Sequence, residues 1–151
     1  MNEKLHYETV INAPAQKVWD TMLDLETYKQ WTKVFEPTSY YEGSWEKGSK
    51  MKFLGTGNSG MLSEIAENIP QKFISIRHIG LVTNGVEDTT SDEAKKWSQG
   101  TENYTFIEKG KETLLKIDLE FKSSEGIKEM SAMFGEMWPK ALKKLKEMCE
   151  A

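Results

Sequence analysis

Along Leu5-His6-Tyr7-Glu8-Thr9-Val10-Ile11, apolar and polar residues alternate, which predicts a strand with Leu5, Tyr7 and Ile11 on one face. Asn12-Ala13-Pro14 reads as a helix start. Asn12 or Ala13 would cap it, and Pro14 suits the first turn, where its missing N–H costs nothing. Val18, Trp19, Met22, Leu23 and Leu25 then recur at helical spacing. A second short helix is expected with Leu25, Tyr28, Trp31 and Phe35 inward, ended by Pro37. From Thr38 to Lys122 the texture changes to short segments broken by glycine, and six strands are predicted. They are Tyr40 to Trp45, Met51 to Leu54, Met61 to Ile65, Phe73 to Leu81, Asn103 to Ile107 and Thr113 to Phe121. Met61 to Ile69 also fits a short helix. In the last strand Leu115, Ile117, Leu119 and Phe121 alternate with Lys116, Asp118, Glu120 and Lys122, so one face is buried and the other wet. Glu108-Lys109-Gly110-Lys111 predicts the hairpin turn before it.

Between Thr83 and Lys96 lies a polar excursion in which Thr90 and Glu93 have capping-box spacing, predicting one helical turn. The strongest helical pattern closes the chain. Ser124 is a natural N-cap, and Ile127, Met130, Phe134, Met137, Ala141, Leu145 and Met148 form an i, i+3, i+4 stripe. Pro139 interrupts that pattern and crowds the carbonyl of Gly135, so a bend or break is expected there. Strand, two short helices, six strands and a long helix is an α+β order with no βαβ rhythm. A seven-stranded antiparallel sheet with one wet face has a single long amphipathic partner, the final helix. Because sheets twist and coil, the economical arrangement is a curved sheet around that helix, with a ligand-sized space between them.

Composition narrows the function classes. The 151 residues are expected to form one domain, residues 1–151. A net charge of -4 argues against a phosphate-neutralising face, so no nucleic-acid partner is expected. No apolar run reaches the ~18–20 residues that span a bilayer, and none near the N-terminus resembles a signal peptide. No membrane insertion and a cytoplasmic location are the expectation. Cys149 is the one cysteine, which excludes internal disulfides, and His6 and His78 lack metal-ligand spacing, so no metal and no cofactor are expected. Both histidines are expected on exposed strand faces.

Gly55-Thr56-Gly57-Asn58-Ser59-Gly60 matches G-x-G-x-x-G, but no βαβ unit follows, and a glycine-rich hairpin loop accounts for it. The polar residues of interest are those that strand parity places inward. If Phe73 and Ile79 face the concave side, Ser75 and Arg77 do too; if Tyr104 and Phe106 face it, so does Glu102. Arg77 and Glu102 would then pair or orient a ligand, since a buried charge needs a partner. Ile74 and Ile76 support the opposite parity, which would leave Arg77 on the outer face. For a reaction in the space, Arg77, Glu102 and Glu64 are the candidate acid–base groups, but no catalytic residue is assigned.

The chain resembles the START-like (SRPBCC) superfamily, in particular the branch similar to the C-terminal domain of the activator of the 90-kDa heat-shock-protein ATPase. The resemblance is carried by Ile11-Asn12-Ala13-Pro14-Ala15-Gln16-Lys17-Val18-Trp19, Trp31, Gly60-Met61-Leu62-Ser63-Glu64-Ile65, Pro70-Gln71-Lys72-Phe73 and Trp138-Pro139-Lys140-Ala141-Leu142-Lys143-Lys144-Leu145. It implies a helix-grip fold with an apolar cavity between the sheet and the long helix. A small apolar or amphipathic ligand, lipid-, flavonoid- or polyketide-like, is expected there. Phe73, Tyr104, Phe106, Met130, Phe134 and Met137 would line it, with Arg77 and Glu102 as polar handles. A polyketide cyclase- or aromatase-like reaction in the same cavity is the alternative. A chaperone partner and a homodimer are further expectations. The co-chaperones it resembles carry an additional N-terminal domain, whereas this chain begins at its first strand, so ligand binding is expected ahead of chaperone activation.

Overall fold

The computed structural model describes residues 3–98, 100–121 and 124–151, with side chains for all of these except Glu3, Trp97 and 124–133. Alternation in β1 (Glu3–Ile11) turns Tyr7 and Ile11 toward the core, and Ile11 is wholly buried. A proline-capped helix α1 (Ala15–Leu23) follows, then α2 (Leu25–Trp31) and a 3-10 turn over Thr32–Val34. The strands β2 (Tyr40–Gly43), β3 (Lys50–Leu54), β4 (Gly60–Ile69), β5 (Phe73–Thr83), β6 (Val86–Asp88), β7 (Thr101–Lys109) and β8 (Glu112–Phe121) come next. Helix α3 (Asp92–Trp97) lies between β6 and β7, and α4 (Ser124–Glu150) ends the chain. The sheet runs β1-β8-β7-β5-β4-β3-β2, every pair antiparallel, with β6 paired to the far end of β5.

The seven expected strands are present, and β6 is an eighth that the polar excursion hid. Met61 to Ile69 is strand, not helix, paired along both neighbours. The cap of α3 falls one residue later than the capping-box spacing predicts: Ser91 Oγ accepts from the Ala94 N–H at 3.1 Å, while Asp88 holds the Ser91 hydroxyl at 2.6 Å. Likewise α1 starts at Ala15, with Pro14 as its cap. Pro14 has no side chain to accept a hydrogen bond, so the Glu108 carboxylate on β7 takes the Ala15 N–H at 3.2 Å. That places a negative charge at the positive helix end. Gly110, at φ +64°, opens the two-residue turn between β7 and β8, where a left-handed first position favours glycine.

One sheet face is the core. Met51, Ile65, Ile74, Ile76, Tyr104, Phe106, Leu115, Ile117 and Leu119 are all buried on it. They pack with Val18, Met22 and Trp31 of the first helices and with Trp138, Ala141, Leu142, Leu145 and Cys149 of α4. Each such aliphatic side chain contributes about 1.5–3 kcal/mol by leaving water. A smaller cluster of Leu54, Leu62 and Val82 falls, by strand parity, on the other face. Helix α4 runs unbroken through Pro139. The helix does not break there, and the buried Trp138 and Ala141 hold both flanks of the proline to the core. Among the described residues no helix is long and apolar enough to cross a membrane.

Candidate ligand pocket

Aromatic residues from separate elements converge at one end of the core. Trp138 packs against Phe35 at 4.9 Å, Trp31 at 6.1 Å and Tyr104 at 6.3 Å between ring centroids, mostly tilted or edge-on. Tyr28 meets Tyr41 at 5.0 Å and Trp31 at 5.7 Å. These rings leave a space between α2, β3, β5, β7 and α4. A pocket of about 300 Å³ remains, walled by Tyr28, Trp31, Phe35, Phe53, Tyr104, Phe134 and Trp138. Its rim is formed by Glu36, Ser39, Ser59 and Met61, all half-buried. The Gly55 to Gly60 stretch is the hairpin connection from β3 to β4, as its sequence suggests. It belongs to this rim, and no helix follows it.

One wall is polar. His78 on β5 and Glu102 on β7 both face the pocket, their side chains 14% and 24% exposed. The Tyr104 hydroxyl donates to Glu102 Oε2. His78 Nδ1 lies 2.7 Å from the hydroxyl of the wholly buried Ser63 on β4, and His78 Nε2 is 3.7 Å from Glu102 Oε1, beyond hydrogen-bond range. Burial raises the phenol of Tyr104 well above its ordinary value, and the neighbouring Glu102 charge adds to this. Tyr28 is raised for the same reasons in the same order. Both phenols are therefore neutral at physiological pH, and that of Tyr104 donates to the carboxylate. At the rim, the Thr56 hydroxyl at 2.8 Å, followed by the backbone N–H of Thr38, holds the Glu36 carboxyl below its usual range. The indole N–H of Trp138 is buried with no acceptor among the described residues.

The expected site residues are thus redistributed. Tyr104, Glu102 and Phe134 line the pocket. Phe106 is buried against Trp19 at 5.1 Å in the adjoining core, and Met137 is half-buried outside the lining. The side chain of Met130 lies outside the described residues. Arg77 is corrected: Ile74 and Ile76 take the inner face of β5, so Arg77 is half-exposed on the outer face, ion-paired with Glu64. Phe73 shares that outer parity and is paired with Thr105. Arg77 and Glu102 therefore do not meet, and Glu102 is the inward one of the carboxylates Glu64 and Glu102. His78, expected exposed, is the group that joins it. The alternation Ile74, Ile76, His78 was the available signal. Among the described residues no group of three or more His, Cys, Asp or Glu could hold a metal ion.

Comparison with known proteins bears on this arrangement. A family model described as "Activator of Hsp90 ATPase homolog 1-like protein" matches residues 12–150. No curated protein matches the sequence. Among solved structures, protein MLL2253 from Mesorhizobium loti superposes with a TM-score of 0.74 at 12% identity, over 96% of this chain and 95% of that one. The Aha1 dimer from Colwellia psychrerythraea gives 0.71 at 16% identity, over 98% and 96%. DynU16, a protein of the dynemicin biosynthetic locus, gives 0.68 at 13% identity, over 97% of this chain and 48% of that one. At these identities the likeness shows the fold, a helix grip.

Proposed function

This chain belongs to the Activator of Hsp90 ATPase homolog 1-like family, and from that premise we propose that it binds a small, largely apolar, ring-containing molecule in the pocket between the sheet and α4. The observation that carries the reading is the pocket itself, about 300 Å³ with aromatic walls and one polar wall. Ligand sites usually run from about 300 to 1,000 Å³, apolar with few polar groups, so this volume suits a ligand of one or two fused rings. A structural neighbour from a biosynthetic locus for a small molecule supports the same direction. Native mass spectrometry of gently purified protein, with thermal-shift screening against lipids, flavonoids and polyketides, tests it. Retained mass or a saturable rise in melting temperature is expected. Uniform failure to bind would remove the reading.

A second reading follows from the Aha1 dimer among the neighbours: self-association, or contact with a chaperone ATPase. Sedimentation velocity at micromolar concentration and an Hsp90 ATPase assay test it. A strictly monomeric species that leaves the ATPase rate unchanged would sink this second reading and leave the first intact.

A further inference from the structure

We propose that His78 and Glu102 form a clamp for a hydroxyl group on the bound molecule, an inference that rests on the ligand-binding reading above. Among the described residues, His78 and Glu102 each have one polar atom hydrogen-bonded and one that is not. Glu102 Oε2 receives the Tyr104 hydroxyl, which leaves Oε1. His78 Nδ1 is engaged by Ser63 at 2.7 Å, which leaves Nε2. Ser63 is wholly buried, and His78 Nδ1 is the acceptor within its reach. A buried hydroxyl without an acceptor is costly, so Ser63 donates, and the neutral imidazole then carries its proton on Nε2. The pocket is left with one N–H donor and one carboxylate acceptor, 3.7 Å apart.

That separation is too long for a direct hydrogen bond and too short to admit a bulky group. It matches a single oxygen seated about 2.8 Å from each atom, accepting from Nε2–H and donating to Oε1. A hydroxyl does both at once; a ketone, ether or methyl group cannot. Ring walls on the other sides specify what carries the hydroxyl, so the ligand class is a phenol or cyclic alcohol of one or two rings.

The probes are 2-naphthol and 2-methylnaphthalene, equal in shape and differing in the hydroxyl. Binding to the wild-type chain is measured at pH 7 by titration calorimetry or probe fluorescence. Partition out of water alone ranks the methyl compound first. The clamp reverses that order, and 2-naphthol should bind at least about tenfold more tightly. In Glu102→Gln the advantage should fall below about threefold while the methyl compound binds as before. Circular dichroism confirms the fold of the variant, and if it fails to fold, the wild-type comparison decides alone. Equal or tighter binding of 2-methylnaphthalene to the wild type overturns the clamp and leaves the pocket reading standing. Binding of neither probe overturns both.

Discussion

His6 illustrates how a single side chain on the outer face adjusts stability. Its Nδ1 lies 2.5 Å from Asp118 and its Nε2 2.8 Å from Glu8, and these hydrogen bonds, Asp118 first, raise its pKa above 6.5. A raised folded-state pKa means that the stabilisation is complete below the unfolded value and is lost as pH rises through the folded one. Stability of the wild type should therefore decline from about pH 6 upward relative to His6→Gln, a difference read by urea denaturation across pH 5–9. The pair is half-exposed, so the effect belongs in the surface range of about 0–1 kcal/mol; a pH-independent difference would contradict it. Parity on β5 is also decided residue by residue. Ile76, 1% exposed, should cost about 2–5 kcal/mol on truncation to Ala, and its outer-face neighbour Arg77→Ala less than about 1. The sequence Phe73-Ile74-Ser75-Ile76-Arg77-His78-Ile79 puts apolar residues on both faces, so local alternation did not choose between them. Two breaks in the β4–β5 register, at Leu62/Ser63 and Ile65/Glu67, shift the pairing further, and such bulges leave no local trace. The sequence therefore leaves both parities open, and the fold selects the one that turns Arg77 outward and brings His78 beside Glu102.

At the scale of elements, the helices were the most legible, because their apolar stripes extend over several turns and small errors at the ends leave the face unchanged. Boundaries shifted where capping came from a distant part of the chain, as with Glu108 reaching α1 from β7. Similarly, the end of α1 is closed by groups far along the chain. Tyr41 and Trp45 donate to the Leu23 carbonyl at 2.6 and 3.1 Å, and Trp31 donates to Met22. Removing the α1 cap with Glu108→Ala should cost about 0.5–2 kcal/mol in denaturant unfolding, with an unchanged midpoint arguing that water replaces the carboxylate. Pro139 poses the opposite case. It is exposed, lies inside an unbroken helix and lacks the N–H that would bond to Gly135. Pro139→Ala restores that bond and gives back some unfolded-state entropy, for a net gain of about 1–2 kcal/mol. A rise in melting temperature of roughly 2–8 °C is the expected readout. A fall would show that the proline's shape matters in the groove it lines together with Tyr7 and Thr9 of β1.

For the molecule as a whole, the grip of sheet on helix was legible because seven strand patterns faced one long amphipathic partner, but the strand order and β6 were not. Pairing of β1 with β8 joins residues more than a hundred positions apart, and only the completed core specifies it. The same closure predicts how the protein unfolds. At the far end of α4, Lys146 Nζ donates to the Val10 carbonyl at 2.8 Å and Glu150 accepts from the Asn12 N–H at 2.7 Å, tying the last helix to the junction of β1 and α1. Thr113, buried on β8, donates to the Ala13 carbonyl at 2.8 Å and ties the same junction to the sheet. One apolar cluster runs from these ties through the sheet to the aromatic residues of α2, and Trp19, Trp31, Trp45 and Trp138 all belong to it or pack on it. No half of the chain can withdraw without opening that cluster, so loss of secondary structure and loss of tryptophan burial are one event. Far-ultraviolet circular dichroism and tryptophan fluorescence should then give coincident urea transitions with the same midpoint. Separation of the two curves would mean that the sheet and α4 part before either unfolds, and that the pocket between them opens on its own.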